Sequence, residues 1–208
     1  RVDILLTHLH FDHIQGLGFF SPLFNPNMEA HIWAPSGATQ SLRSRLSRYL
    51  SPPLFPVHIH ELPCQLTLHD VSNSSFKIGP FSIESRYVIH PGPTVGYRVQ
   101  EGNSVLAYVP DHEPALGPDG ILAEKKWISG FDIVTEADLL LHDAQYTTQE
   151  YATRNGWGHS SMADTIKLAS LANVKRLLLF HHDPSHNDAR LHELYAELRN
   201  KTKDLLPF

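Results

Sequence analysis

Five short apolar runs in this chain end at histidine or aspartate, and this pattern restricts the fold more than any other feature of the sequence. Short runs of Ile, Leu, Val and aromatic residues are typical of buried β-strands. The residues that follow them are His8 and His10, His90, Asp111, His142 and Asp143, and His181 and His182. Ligand sites of layered α/β folds lie at the carboxyl ends of strands, so these side chains are expected to converge at one sheet edge.

The rest of the chain predicts strands and helices in mixed order, and therefore an α/β fold. Strand-like runs lie at 4–6, 31–34, 76–78, 81–89, 95–99, 105–109, 139–141 and 177–180. Helix-like runs lie at 36–50, 121–127, 147–154, 161–172 and 188–201, with Ser36 and Ser161 as N-caps. Residues 51–63 are rich in proline and predict a long surface loop. A length of 208 residues suits one domain, so we expect a single domain over 1–208.

Composition excludes several classes of protein. Hydrophobic residues make up 41% of the chain, which excludes a wholly disordered protein. The net charge of −5 argues against a general polyanion-binding surface, and nucleic acid stays open as a partner through a local basic patch. No apolar run is long enough to span a bilayer, so we expect no membrane partner. The single cysteine, Cys64, fits a reducing compartment, and we expect a cytoplasmic protein.

The first apolar run, 4–6, lies almost at the start of the given sequence. A strand with this composition is usually buried on both faces, within the interior of its sheet. We therefore expect further strands upstream, so that the chain would be an N-terminally truncated form of its domain.

The sharpest cluster consists of His8, His10, Asp12 and His13. His8 and His10 are two residues apart, so an extended segment points both rings the same way. Asp12 and His13 follow where the chain must turn toward a helix. Three imidazoles and one carboxylate within six residues are too many for one ion in this geometry, and they indicate two adjacent metal ions.

These residues resemble the motifs of the metallo-β-lactamase superfamily. The His-x-His-x-Asp-His sequence at 8–13 resembles its first metal motif, and His-Pro-Gly at 90–92 resembles its second. Asp111 resembles the bridging aspartate, and 177–181 resembles the final strand with the last ligand. The resemblance continues for the length of the chain.

Two further blocks indicate particular branches of this superfamily. Leu-His-Asp-Ala-Gln-Tyr at 141–146 and Gly-Trp-Gly-His-Ser-Ser at 156–161 resemble blocks of the phosphodiesterase and transfer-RNA 3′-processing (ribonuclease Z-like) branches. The tail His-His-Asp-Pro at 181–184 resembles bacterial cyclic-nucleotide phosphodiesterase-like members.

The resemblance implies an αββα sandwich of the metallo-β-lactamase type, with the site at one sheet edge. It implies two divalent metal ions that share a bridging aspartate. One ion is bound by His8, His10 and His90, the other by Asp12, His13 and His181, and the bridge is Asp111. His181 is preferred to His182 because it comes first after the strand. Imidazole and carboxylate ligands without thiolate suit Zn²⁺, and Mn²⁺ and Fe²⁺ are tolerated by the same ligands.

Two such ions would lower the pKa of a shared water and hold it as hydroxide for attack on a phosphodiester. The leaving alkoxide needs a proton, which a histidine oriented by a carboxylate can donate. We expect His159 to be this acid and Asp143 to orient it; the alternative is that Asp143 orients a metal ligand. Asp12 is assigned to catalysis as well as to metal binding, and His142 to a structural role.

The sequence therefore predicts a metal-dependent phosphodiesterase that acts on a small-molecule or nucleotide phosphodiester. A thioester or lactone hydrolase on the same metal ions is the alternative, because the ligands suit both reactions. A noncatalytic metal-binding regulatory domain is a third reading, and the intact ligand set argues against it. The oligomeric state stays open, with a homodimer as one option.

One other histidine pair, His58 and His60, has the same two-residue spacing as the first motif. It lacks a following Asp-His and comes after a proline, so it predicts a solvent-facing strand without a metal.

Overall fold

The computed structural model describes residues 1–116, 121 and 124–201, and these residues form two compact units. The first unit contains residues 1–74 and 92–95. The second contains residues 75–91 and the described residues from 96 onward. The single domain expected from chain length stays a prediction.

The first unit is built on a three-stranded parallel sheet. Its strands, in spatial order, are β1 (Val2–Leu5), β2 (Glu29–Pro35) and β3 (Gln65–Val71). In the central strand the alternate residues Ala30, Ile32 and Ala34 are completely buried. They lie in one hydrophobic cluster because successive side chains of a strand point to opposite faces.

Short helices connect these strands. They are α1 (Phe11–Ile14), α2 (Leu42–Leu46) and the 3₁₀ helices Gln15–Phe19, Ser21–Phe24 and Ile59–Glu61. α1 begins directly after His10, which is its N-cap. α2 begins after Ser41, whose hydroxyl accepts a hydrogen bond from the Ser44 N–H at 3.2 Å. Leu42 and Leu46 lie four residues apart on one face of α2, and both are buried.

The second unit is built on a six-stranded sheet in which spatial order follows chain order. Its strands are β4 (Ser74–Ile78), β5 (Phe81–Tyr87), β6 (Val95–Glu101), β7 (Ser104–Val109), β8 (Leu139–Asp143) and β9 (Leu177–Phe180). β6 and β7 are antiparallel, whereas β7, β8 and β9 are mutually parallel. The carboxyl ends of these last three strands therefore lie at the same edge of the sheet.

Helices and one 3₁₀ helix follow the strands of the second unit. They are the 3₁₀ helix Lys125–Trp127, α3 (Phe131–Val134), α4 (Thr148–Tyr151), α5 (Met162–Leu171) and α6 (Asp188–Lys201). Ser161 caps α5 as predicted, since its hydroxyl accepts from the Asp164 N–H at 3.0 Å. Leu140 and Leu168 are completely buried in the hydrophobic cluster that joins α5 to the sheet.

The helix predicted at 36–50 is wrong in extent, because only Leu42–Leu46 is helical. Ser36 is not its cap: the Ser36 N–H donates to the Val71 carbonyl at 2.7 Å and prolongs the pairing of β2 with β3. At the other end the Ser47 hydroxyl donates to the Arg43 carbonyl at 2.8 Å, a bond that competes with helix continuation. The helix predicted at 147–154 is likewise shorter, and that predicted at 121–127 lies partly outside the described residues.

The strand predicted at His58 and His60 is wrong. Ile59–Glu61 is a 3₁₀ helix, because the Glu61 carboxylate accepts from the His58 N–H at 2.6 Å and closes a turn. β3 was not predicted, although Leu66 and Leu68 alternate with polar residues in the way a half-buried strand requires.

Among the described residues, no helix combines the length and the apolar character needed to cross a bilayer.

Candidate functional site

The histidine motif of the first unit lies where β1 gives way to α1. His8 is buried, and the Thr7 hydroxyl lies 3.1 Å from its Nδ1. The ring of His8 lies 4.6 Å from that of His10 and 4.2 Å from that of His13, measured between centroids. His13 Nε2 lies 3.3 Å from the largely exposed carboxylate of Asp12. The structure thus brings together the three predicted imidazoles and the carboxylate of this motif.

The strand ends of the second unit assemble another set of predicted residues. Asp111 lies two residues beyond β7, Asp143 is the last residue of β8, and His181 directly follows β9. Asp111 is buried, and its Oδ2 lies 3.4 Å from His181 Nε2 and 3.8 Å from His90 Nε2. A buried carboxylate between two imidazole nitrogens is the arrangement expected of metal ligands.

The structure favours His181 over the neighbouring histidine for this set. His181 has φ of +56°, a left-handed conformation that is uncommon outside glycine and asparagine. Its ring points toward Asp111, whereas His182 Nε2 lies 3.1 Å from the hydroxyl of Tyr195 on α6. Burial lowers the pKa of His182.

Asp143 and His159 form a hydrogen-bonded pair, with 2.7 Å between Asp143 Oδ2 and His159 Nδ1. The carboxylate is completely buried. It also accepts three backbone N–H groups at 3.0 to 3.1 Å, those of His112, Gln145 and Ser160. Burial acts to lower the pKa of His159, but the hydrogen bond and the charge of Asp143 outweigh it, so the net shift of that pKa is upward.

The ring of His159 lies among the predicted metal ligands of the second unit. It stacks on His181 with 5.0 Å between centroids and meets the edge of His90 at 4.9 Å. One ligand atom each from His90, Asp111 and His159 lie within 4.8 Å of one another, and the same holds for Asp143, His159 and His181. His159 is therefore placed either to serve a reacting group beside a metal ion or to bind the ion itself.

His142, to which a structural role is predicted, forms a buried pair with His112. His112 and His142 are completely buried, with 2.8 Å between His112 Nδ1 and His142 Nε2. His142 Nδ1 donates to the Asp143 carbonyl at 2.8 Å, so its Nε2 accepts from His112. Burial holds the pKa of His112 well below its usual range, which keeps this pair neutral.

Glu113 is a functional candidate that was not predicted from the sequence. It is completely buried, and its carboxylate accepts from the Tyr151 hydroxyl and from the N–H groups of Gly156 and Gly158, each at 2.7 Å. These bonds hold the loop that leads into His159. The only signal in the sequence was an acidic residue two positions after Asp111, with no spacing rule to connect it to a loop more than forty residues away.

The same loop orients His90. His90 Nδ1 donates to the Gly158 carbonyl at 2.8 Å, which fixes the tautomer and directs Nε2 toward Asp111. Histidine ligands of metals usually donate their second nitrogen to a carbonyl or carboxylate in this way. Gly158 has φ of +89°, and a Cβ there would collide with Pro91 and His90, so this position requires glycine.

Comparison with known proteins identifies the family of this chain. Residues 1–182 match the sequence profile of the family described as "Beta-lactamase superfamily domain". A ribonuclease Z of Thermococcus gammatolerans is 29% identical over 213 residues, which cover 87% of this chain and 67% of that protein.

Two solved structures share the fold. The short form of human tRNase Z superposes with a TM-score of 0.63 and 22% identity, over 88% of this chain and 73% of that chain. Zn²⁺-bound PqqB from Methylobacterium extorquens gives a TM-score of 0.66 with 19% identity, over 99% of this chain and 67% of that chain. The α/β fold of the metallo-β-lactamase type predicted from the sequence is confirmed. The match over 1–182 shows that the chain belongs to the beta-lactamase superfamily domain family.

Proposed function

We propose that this protein is a metal-dependent hydrolase that cleaves phosphodiester bonds. The observation that carries the proposal is the hydrogen bond between the buried Asp143 and His159, a pair that lies within the same cluster as Asp111, His90 and His181. It joins an acid–base pair to a set of metal-ligand side chains. The relative named ribonuclease Z and the solved tRNase Z support a phosphodiester substrate.

The proposal assigns seven side chains to metal binding, as predicted from the sequence. They are His8, His10, Asp12 and His13 of the first unit, and His90, Asp111 and His181 of the second. Imidazole and carboxylate donors fit divalent ions, and the orientation of His90 by the Gly158 carbonyl is the arrangement that a ligand needs. We propose two ions with Zn²⁺ as the first choice, supported by the Zn²⁺-bound solved structure, and with Mn²⁺ or Fe²⁺ as substitutes.

When bound, divalent ions supply Lewis acidity: they lower the pKa of water and stabilise negative charge on phosphate oxygens. The residues of the chain supply the remaining chemistry. His159 bonds to Asp143 through Nδ1, so the proton available to the leaving group is the one on Nε2. The carboxylate of Asp143 stabilises a protonated His159, which suits an acid that protonates the leaving alkoxide.

Asp143 acts through His159. Its four hydrogen-bond donors fix the carboxylate, and the fixed carboxylate holds the imidazole in one orientation and stabilises its charged form. Asp12, which is largely exposed, stays assigned to catalysis as well as to metal binding.

The substrate is proposed to be a nucleotide or nucleic-acid phosphodiester, in line with the names of the relatives. A cytoplasmic location, supported by the single buried Cys64, and a homodimer both stay predictions.

The test uses the full chain saturated with Zn²⁺ or Mn²⁺, with metal content measured by elemental analysis. Bis-p-nitrophenyl phosphate and a short RNA are compared with a thioester and a lactone. We expect two ions per chain and hydrolysis of the phosphodiesters. One ion or fewer would exclude the dinuclear site, and hydrolysis of only the thioester or lactone would exclude a phosphodiesterase.

Asp111→Asn should lower metal content and slow hydrolysis by more than about 100-fold, because the buried carboxylate stabilises the cations that stabilise the transition state. Asp132→Asn is the matched control, since Asp132 is an exposed aspartate on α3 whose partner is Arg86. It should change neither quantity.

A further inference from the structure

We propose that Trp157 determines specificity by stacking on a nucleobase of the substrate. This inference rests on the proposed function, and it names the part of the substrate that the protein recognises next to the bond it cleaves.

Trp157 is an unusual side chain because it is exposed on a fixed backbone. Its relative exposure is 60%. The residues on both sides are glycines with positive φ, Gly156 at +84° and Gly158 at +89°. Both glycine N–H groups donate to the buried carboxylate of Glu113 at 2.7 Å. The Trp157 N–H donates to the Arg154 carbonyl at 3.1 Å, so the backbone is held at three successive positions.

A fixed backbone reduces the conformational entropy that a side chain loses when it binds a ligand. A large aromatic surface left in water on such a backbone is suited to contact another flat apolar surface. Glu113 is completely buried, and it supports only the loop and Tyr151 in the bonds described above. The arrangement therefore points to a preformed platform for an aromatic ligand.

The neighbours of Trp157 indicate which ligand this is. His159, the proposed acid, lies two residues further along the chain. The ring of Tyr146 meets the edge of His159 with 6.1 Å between centroids, and the guanidinium of Arg154 lies 4.8 Å above the Tyr146 ring. Arg154 and Trp157 thus precede the proposed acid by five and two residues, and the arginine reaches toward it across the Tyr146 ring.

A nucleotide has the matching chemistry. Its base offers a flat π-face to an indole, and its phosphate is an anion for a nearby arginine. Stacking is insensitive to base identity because every base has such a face. We infer that the site accepts many bases and discriminates against phosphodiesters that carry none.

The experiment compares a diadenosine dinucleotide, ApA, with an analogue that has hydrogen in place of both bases. The two share the same phosphodiester and the same leaving oxygen. Trp157→Ala should lower kcat/KM for ApA by about 10- to 100-fold and leave the base-free analogue within about twofold. Trp157→Phe should restore most of the loss, since phenylalanine keeps an aromatic face.

Trp127→Ala is the matched control, because Trp127 is 68% exposed in the second unit and belongs to a different segment. This variant should leave kcat/KM unchanged for both substrates. Calorimetric titration with adenosine 5′-monophosphate gives a readout without turnover: its Kd should rise about 10- to 100-fold in Trp157→Ala and stay constant in Trp127→Ala.

Equal losses on ApA and on the base-free analogue would overturn the proposal, because Trp157 would then only support the loop. An unchanged Kd for adenosine 5′-monophosphate would overturn it as well. Failure of the unaltered, metal-loaded protein to hydrolyse any phosphodiester would instead contradict the proposed function. In that case the titration still decides whether Trp157 binds a nucleobase.

Discussion

Two histidine–carboxylate pairs, one in each unit, have the same bond length and different surroundings. Asp143 and His159 of the second unit are 2.7 Å apart, as are Glu29 and His31 of the first. Asp143 is completely buried and accepts three further N–H groups. The Glu29 side chain is 49% exposed, and its other ionic partner, Arg1, lies 3.7 Å away.

The ring nitrogens differ in the same way. His31 is bonded through both, to Glu29 at 2.7 Å and to His69 at 2.8 Å, so neither nitrogen is left for a substrate. His159 is bonded to its carboxylate through Nδ1, and the proposed mechanism uses its Nε2. A short histidine–carboxylate distance therefore does not identify a catalytic pair. Two other features distinguish a catalytic pair. The carboxylate is fixed by further hydrogen-bond donors, and the second ring nitrogen is available to a substrate.

The largest effect on stability is expected from the same change made in both pairs, Asp143→Asn and Glu29→Gln. In Asp143→Asn one carboxylate oxygen is replaced by an NH₂ group, which cannot accept a hydrogen bond. The buried N–H groups that donate to that oxygen then lose their acceptor. The free energy of unfolding should fall by about 2–4 kcal/mol for Asp143→Asn, measured by urea titration. Glu29→Gln should shift the urea midpoint far less, because water replaces the lost contact. Equal midpoint shifts in the two variants would remove the distinction between the pairs.

His159→Ala is expected to change the barrier to reaction and not the stability of the fold. This variant should keep both metal ions and slow turnover by about 10²–10⁴-fold on an alkyl phosphodiester, the usual contribution of acid–base catalysis. The loss should be smaller on a p-nitrophenyl ester, because p-nitrophenolate is a weak base that scarcely needs a proton. His31→Ala, the matched variant of the other pair, should leave turnover unchanged. An equal loss on both leaving groups would show that His159 is not the proton donor.

The smallest effect concerns acid sensitivity in the first unit. The hydrogen bond from His31 lowers the pKa of Glu29. A carboxylate whose folded pKa is lowered stabilises the protein above its unfolded pKa of about 4.3, and loses this contribution as pH falls through the folded value. The difference in thermal midpoint between the unaltered protein and Glu29→Gln should therefore be constant above about pH 5.5 and shrink in more acidic solution. A difference that grows on acidification would have the wrong sign.

The sequence is informative wherever a strand carries a candidate site residue at its own end. Asp111 and His181 follow β7 and β9 within two residues, so an apolar run was enough to place them. The parallel order of β7, β8 and β9 then brings those ends to one edge. The preference for His181 over His182 agrees with the 3.4 Å approach of His181 to Asp111. Whether the seven ligands bind metal stays a prediction.

Long-range side-chain bonds could not be predicted. Glu113 holds Gly156 and Gly158 across more than forty residues, and a single sequence contains no periodicity that records such a contact. Nor could the length of α2 be predicted from propensity, because Ser36 and Ser47 make their bonds outside the helix pattern. β3 could have been predicted, since apolar and polar residues alternate along it in the sequence.

The order of strands has a consequence for how the chain acquires its fold. In both sheets each strand lies beside its neighbour in the sequence. The loops that must close are therefore those between successive strands, and closing a shorter loop costs less entropy. Each sheet can grow by one strand at a time at its newest edge while the polypeptide emerges from the ribosome. β7 emerges before β8, and β8 before β9, so Asp111 at the end of β7 is available for pairing before His181 has been synthesised.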